Sequence, residues 1–149
     1  MVQMAGFAVK TAAIVIVLWL AAFFGYGDFV LKDSIVPVEG MEVEEWIDAY
    51  RITGGISGIV GFILSAIWFY IGDNYAGESG ISVKYYALFV ISILTGVALA
   101  VFKMPPSIEG SGFAFVMVAG ISLLTYYLSS LLASAEPVKY IPPLGEILH

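Results

Sequence analysis

Four long apolar runs divide the chain, and short polar segments separate them. We predict membrane spans at about 8–27, 52–71, 85–102 and 112–133, and only the first takes in a charged residue, Lys10, near its start. A helix rises about 1.5 Å per residue, so roughly 20 residues cross a hydrocarbon core about 30 Å thick. Transmembrane β-strands would need alternating polarity, which these runs lack. The pattern therefore predicts four transmembrane helices.

The composition agrees with this interpretation. Hydrophobic residues make up 60% of the sequence and charged residues only 12%. A soluble domain of this size would expose large apolar patches, so the surplus is expected to face lipid. We therefore predict an all-α integral membrane protein with one four-helix domain over residues 1–149, ending in a non-helical tail over 134–149.

An acidic, amphipathic segment leads directly into the second span. Its apolar residues at helical spacing are Val43, Trp46, Ile47 and Tyr50, and its acidic residues are Glu42, Glu44, Glu45 and Asp48. We predict one long helix over 41–71 whose first turns stand at or above the membrane interface, with Trp46 and Tyr50 at the headgroup level. The acidic face is either simply solvated, or it binds a partner protein or attracts cations.

Small side chains recur four residues apart in the second and third spans. They are Gly54, Gly58, Gly61 and Ser65, followed by Ser92, Gly96 and Ala100. Membrane helices associate by close packing at small residues, because lipid tails are as apolar as leucine. These positions are therefore predicted contact faces, either inside the bundle or against other subunits.

Aromatic residues gather near the ends of the spans, among them Trp68, Phe69, Tyr70, Tyr85 and Tyr86. That placement is typical of the aromatic belts at membrane interfaces. The tail combines prolines with apolar side chains, and we predict that it is covered through Tyr140, Ile141, Leu144, Ile147 and Leu148. It either lies on the membrane surface or its own loops, or docks on a neighbouring protein.

The sequence lacks most of the residues that carry chemistry. It contains no cysteine, its single histidine is His149, and the three later spans contain no ionisable Asp, Glu, Lys, Arg or His. Proton relays and ion coupling depend on such groups at membrane depth. We predict no catalytic residue, no metal site and no cofactor. Bound lipid is expected, and a pigment or quinone between the helices stays open.

Hydroxyl groups are the remaining polar groups within the spans, and the fourth span is richest in them. They include Ser92, Thr95, Ser122, Thr125, Tyr126, Ser129 and Ser130. Such groups bond to their own helix or across to a neighbour. Only the fourth span comes near the continuous polar stripe that a water-lined path needs.

Charge gives little information about orientation. The basic residues divide three to three between the two sides, with Lys10, Lys84 and Lys139 against Lys32, Arg51 and Lys103. An even number of spans places both termini on one side, and the acidic first connection weakly favours the cytoplasmic side for them. We expect a prokaryotic inner or plasma membrane. The net charge of −6 also argues against nucleic-acid binding.

Two functions are compatible with these features. The first is a non-catalytic structural or assembly subunit of a larger membrane complex, such as secretion, translocation or respiratory machinery, with other membrane protein subunits as partners. The alternative is a homo-oligomeric channel or pore-forming effector in which the fourth helix lines the pore.

Overall fold

The computed structural model describes residues 2–75, 79–132 and 141. Helix α1 (Val2–Trp19) continues through a π-helical turn (Leu20–Gly25) into the short helix α2 (Tyr26–Phe29). A 3₁₀ turn (Leu31–Asp33) follows, and then come the long helices α3 (Val43–Tyr75), α4 (Ile81–Lys103) and α5 (Ser111–Leu132). Within the predicted tail over 134–149, Ile141 alone is among the described residues.

Four helices of the described chain are long and apolar enough to cross a membrane. This confirms the predicted number of helices that are long and apolar enough to span a membrane. Helix α3 is the longest at 33 residues, about 50 Å at about 1.5 Å per residue. Helix α1 begins earlier than the predicted span and includes Lys10, whose exposed side chain can extend towards the interface by snorkelling.

Two of the connections pair with each other at one end of the bundle. Strand β1 (Val36–Pro37) lies antiparallel to strand β2 (Ser107–Glu109), with Val36 opposite Glu109. Gly110 permits this approach because its φ is +84° and a Cβ at this position would lie 2.8 Å from the carbonyl carbon of Ser34. Only glycine adopts that conformation without strain. The pairing, which the sequence analysis did not predict, joins the first and third connections.

The helices pack around two main apolar clusters, one towards each end of the bundle. The first lies beside the paired connections and joins Phe23 with Trp46, Tyr50 and Val118. The second lies at the opposite end and is built mainly on Trp68, Tyr85 and Tyr126. Helix α5 packs against all three other long helices. Helix α3 does the same, so these two helices together form the centre of the fold.

The outward face of α3 changes character along its length. Its first turns expose the carboxylates of Glu44, Glu45 and Asp48. From Ile52 onward the same helix exposes isoleucines at helical spacing, namely Ile52, Ile56, Ile59, Ile63 and Ile67. Apolar side chains on an outer surface are expected where a helix faces lipid.

Candidate interaction surfaces

A side chain of α3 forms a hydrogen bond to the π-helical turn that follows α1. The backbone N–H of Tyr26 donates to the carbonyl of Ala21, five residues back, so the carbonyl of Ala22 loses its usual α-helical donor. The buried hydroxyl of Tyr50 donates to Ala22 instead, at 3.1 Å. Because an unpaired carbonyl at this depth is costly, this bond stabilises the π-helical turn.

Two tryptophan side chains form hydrogen bonds to backbone carbonyls at the same end of the bundle. The indole N–H of Trp46 donates to the carbonyl of Pro105 at 3.0 Å, and that of Trp19 donates to the carbonyl of Arg51 at 2.9 Å. Trp46 and Tyr50 are both 0% exposed. Their polar atoms bond to backbone carbonyls inside the chain, and their place at the headgroup level stays a prediction.

At the other end, the aromatic residues of the predicted belt divide between the core and the outer surface. Trp68 and Tyr85 are buried and pack edge to face with ring centroids 4.9 Å apart, and Phe69 stacks on Phe7 at 4.5 Å. Only Tyr70 and Tyr86 have exposed side chains, as a belt requires. Aromatic rings near a helix end serve equally well as core residues, and the sequence does not distinguish these uses.

A charged cluster links the first connection to the start of α3. Arg51 contacts the carboxylates of both Asp28 and Asp48, the latter at 2.7 Å, and its guanidinium lies 4.7 Å from the centre of the Phe24 ring. Lys32 forms a 2.8 Å ion pair with Glu44. A small polar cavity of about 200 Å³ lies between these side chains.

The ion pair affects the protonation of both its members. The hydrogen bond and positive charge of Lys32 lower the pKa of Glu44, and the hydrogen bond and negative charge of Glu44 raise the pKa of Lys32. Both side chains are exposed, so solvent screens the interaction and its contribution to stability is small. The pair orients the connection more than it stabilises the fold.

The four predicted acidic residues differ in their contacts. Glu44 and Asp48 take part in the ion pairs above, whereas Glu42 and Glu45 have no ion pair within the described part of the chain. All four side chains are exposed. Glu42 and Glu45 are therefore exposed carboxylates that make no ion pair there, at the start of α3.

All seven predicted small contact residues are buried against the chain's own helices, namely Gly54, Gly58, Gly61, Ser65, Ser92, Gly96 and Ala100. A Cβ built on Gly58 would lie 3.0 Å from Val15 of α1. On Gly61 it would lie 2.6 Å from the carbonyl oxygen of Ser122 in α5. In the described structure these positions lie at contacts inside the bundle.

One predicted tail residue falls within the described part of the chain. Ile141 is 1% exposed and joins the apolar cluster around Trp68 and Tyr85. At this position the tail contacts its own bundle. The other predicted contact residues of the tail, Tyr140, Leu144, Ile147 and Leu148, lie outside the described residues.

A groove runs between α1 and α5 on the outer surface. It consists of two apolar cavities of about 360 and 260 Å³, and Leu18 lines both of them. Ala21 and Gly120 form part of the wall of the larger cavity. A lipid chain matches the chemistry of this surface, since its lining residues are apolar.

The polar stripe of α5 faces the interior. Its hydroxyl residues Ser122, Thr125, Tyr126, Ser129 and Ser130 are all 0% exposed. Ser57 of α3 donates to the carbonyl of Val118 at 2.7 Å, and Tyr126 donates to the carbonyl of Tyr85 at 3.1 Å. Among the described residues, no group of three or more His, Cys, Asp or Glu side chains is placed to hold a metal ion.

These features define the class as a multi-pass membrane protein with four apolar helices. No protein-family model matches the sequence, and comparisons with curated proteins and with solved structures find no similar chain.

Proposed function

We propose that the chain is a non-catalytic structural or assembly subunit of a larger membrane complex, of the kind found in secretion, translocation or respiratory machinery. The observation that carries the proposal is the fixed, acidic end of α3. Glu42 and Glu45 project from a helix end that Trp46, Tyr50 and the Arg51 ion pairs hold in place. A preorganised surface binds a partner without a large ordering cost.

The change along the outer face of α3 supports a position of these carboxylates outside the membrane. The exposed residues switch from Asp48 to Ile52 within about one helical turn. This is where an acidic extension at the start of the second span would leave the lipid. A partner that binds there would carry basic residues, since charge complementarity steers association and fixes orientation.

The alternative function, a homo-oligomeric channel, has less support. A pore between copies would need the hydroxyl groups of α5 on the outer surface, yet Ser122, Thr125 and Ser129 are buried inside one chain. We also propose that lipid chains occupy the groove between α1 and α5, where Leu18 and Gly120 leave an apolar cavity.

The test compares proteins that co-purify with the native chain in mild detergent. The double variant Glu42→Lys, Glu45→Lys should lose partners that the native chain retains, without disturbing an ion pair of the described structure. The matched control is Asp73→Lys, an exposed carboxylate at the opposite end of α3, and it should retain them. A native chain that purifies only as a monomer would contradict the proposal. If the double variant keeps the same partners as the native chain, the acidic surface is not the binding surface.

A further inference from the structure

Several buried side-chain polar atoms have no hydrogen-bond partner among the described residues, and four of them are serine and threonine hydroxyl groups in α1 and α5. These four belong to Thr11, Ser122, Thr125 and Ser129, and each residue is 0% exposed. Burying a hydroxyl group without a hydrogen-bond partner is unfavourable, because the group loses its hydrogen bonds to water. Four such groups together are unusual in a native interior, where nearly all buried polar groups are paired.

The three hydroxyl residues of α5 lie on one face, because they are spaced i, i+3 and i+7 along the helix. That face meets α3 at Gly61. A Cβ on Gly61 would lie 2.7 Å from Cβ of Thr125 and 2.6 Å from the carbonyl oxygen of Ser122. The missing side chain of Gly61 therefore brings α3 directly against the hydroxyl residues of α5.

Thr11 reaches the same region from α1. It lies one turn after Phe7, which stacks on Phe69, and one turn before Val15, which meets Gly58. Thr11 is midway between those two contacts, which places it at a level of α3 within about one turn of Gly61. The hydroxyl groups of α1 and α5 thus approach one turn of α3 from two sides.

Bonding to the helix's own backbone does not account for all of these groups. Ser65 and Ser130 do donate to carbonyls four residues back, at 2.7 and 2.6 Å. For Ser122 the corresponding acceptor is Val118, but Ser57 already donates to that carbonyl at 2.7 Å. The backbone N–H of Ser122 donates to the other lone pair of the Val118 carbonyl oxygen, as in any α-helix. The carbonyl of Val118 is therefore already fully used, and the hydroxyl of Ser122 has no partner among the described residues.

We infer that ordered water binds in the bundle interior at this level, bridging Ser122, Thr125 and Ser129 of α5 with Thr11 of α1. Water fits this chemistry because it both donates and accepts, and a buried water typically makes about three hydrogen bonds to otherwise unpaired polar groups. A hydroxyl group can likewise donate and accept. The site is thus a membrane-depth water site built from neutral groups.

Water-edited solid-state NMR of the labelled protein in liposomes tests this inference. Magnetisation from water should reach Thr11 and Thr125 several-fold faster than Val118, which is equally buried but carries no hydroxyl. The triple variant Ser122→Ala, Thr125→Val, Ser129→Ala should then lose the fast transfer at Thr11, although α1 itself is unchanged. Ser92→Ala is the control, because that hydroxyl already donates to the carbonyl of Phe89, and it should leave the transfer intact.

Transfer to Thr11 and Thr125 that is no faster than transfer to Val118 in the native protein would overturn the inference. Fast transfer at Thr11 that persists in the triple variant would overturn the assignment to the α5 hydroxyl groups. If the triple variant does not fold, Thr125→Val alone, which keeps the side-chain volume, should slow transfer at Thr11, and an unchanged rate there would count against the site. The measurement on the native protein decides the main point in every case.

Discussion

The contact between α4 and α5 at Gly96 allows a quantitative test of the packing. A Cβ at Gly96 would lie 3.0 Å from the carbonyl carbon of Ala119 and 3.1 Å from its Cα, and closer still to the carbonyl oxygen. Carbon atoms pack best at about 3.5–4.0 Å, so the two backbones would have to separate by roughly 0.5–1 Å. Neither backbone can rotate away as a side chain could.

Gly96→Ala should therefore destabilise the protein despite the better helix propensity of alanine. Overpacking costs about 1–3 kcal/mol, whereas glycine to alanine within a helix gains about 0.5–1 kcal/mol. Gly120→Ala is the matched control, since nothing lies within 4 Å of the corresponding Cβ position. It should be neutral or stabilising, so the two variants should differ by about 1–3 kcal/mol, the overpacking cost alone.

The assay is reversible unfolding of each variant in mixed micelles by titration with a denaturing detergent, with the free energy of unfolding as the readout. Equal free energies of unfolding for Gly96→Ala and Gly120→Ala would refute the assignment of Gly96 to a backbone contact. A larger side chain should amplify the difference, so Gly96→Leu should prevent native packing while the exposed Val90 tolerates leucine.

Two further predictions concern the end of the bundle beside the paired connections. Tyr50→Phe removes the donor to a carbonyl of the π-helical turn and should lower the free energy of unfolding by about 1–3 kcal/mol, while Tyr70→Phe, at an exposed position, should have no effect; equal losses would contradict the role of the bond. Since Lys32 lowers the pKa of Glu44, their pair stabilises above the unfolded pKa of this carboxyl and is lost as pH falls through its folded pKa. Glu44→Gln should therefore flatten the acid side of a melting-temperature profile slightly, whereas Glu45→Gln should not, and identical slopes would exclude the pair as a cause.

The number and nature of the spans could be predicted from the sequence because one strong constraint sets them. Backbone groups in hydrocarbon must be paired within the segment, so an uncharged run of about 20 residues becomes a helix. Small residues lie at close approaches between the helices. Gly61 and Gly96 pack at such approaches, since close backbone approach requires a missing side chain.

The roles of the aromatic and loop residues could not be predicted in the same way. Trp46 and Tyr50 have amphipathic side chains that suit an interface, and only the position of the acceptor carbonyls on Pro105 and Ala22 places them inside. The pairing of β1 with β2 joins segments about 70 residues apart in the sequence. Each strand has only two or three residues, too few to show the alternation of polar and apolar residues that predicts a strand. Such contacts depend on how the helices bring the connections together.

The sequence by itself determined that four apolar helices form, that they are uncharged along most of their length, and that an acidic segment leads into the second span. Tertiary structure alone decided which helix each small-residue face meets, and where the aromatic side chains and the connections lie. In a soluble protein, polarity separates the buried from the exposed face, but in a membrane both faces are apolar. Burial here depends on shape and on hydrogen bonds between helices, and neither is visible until the helices are placed side by side.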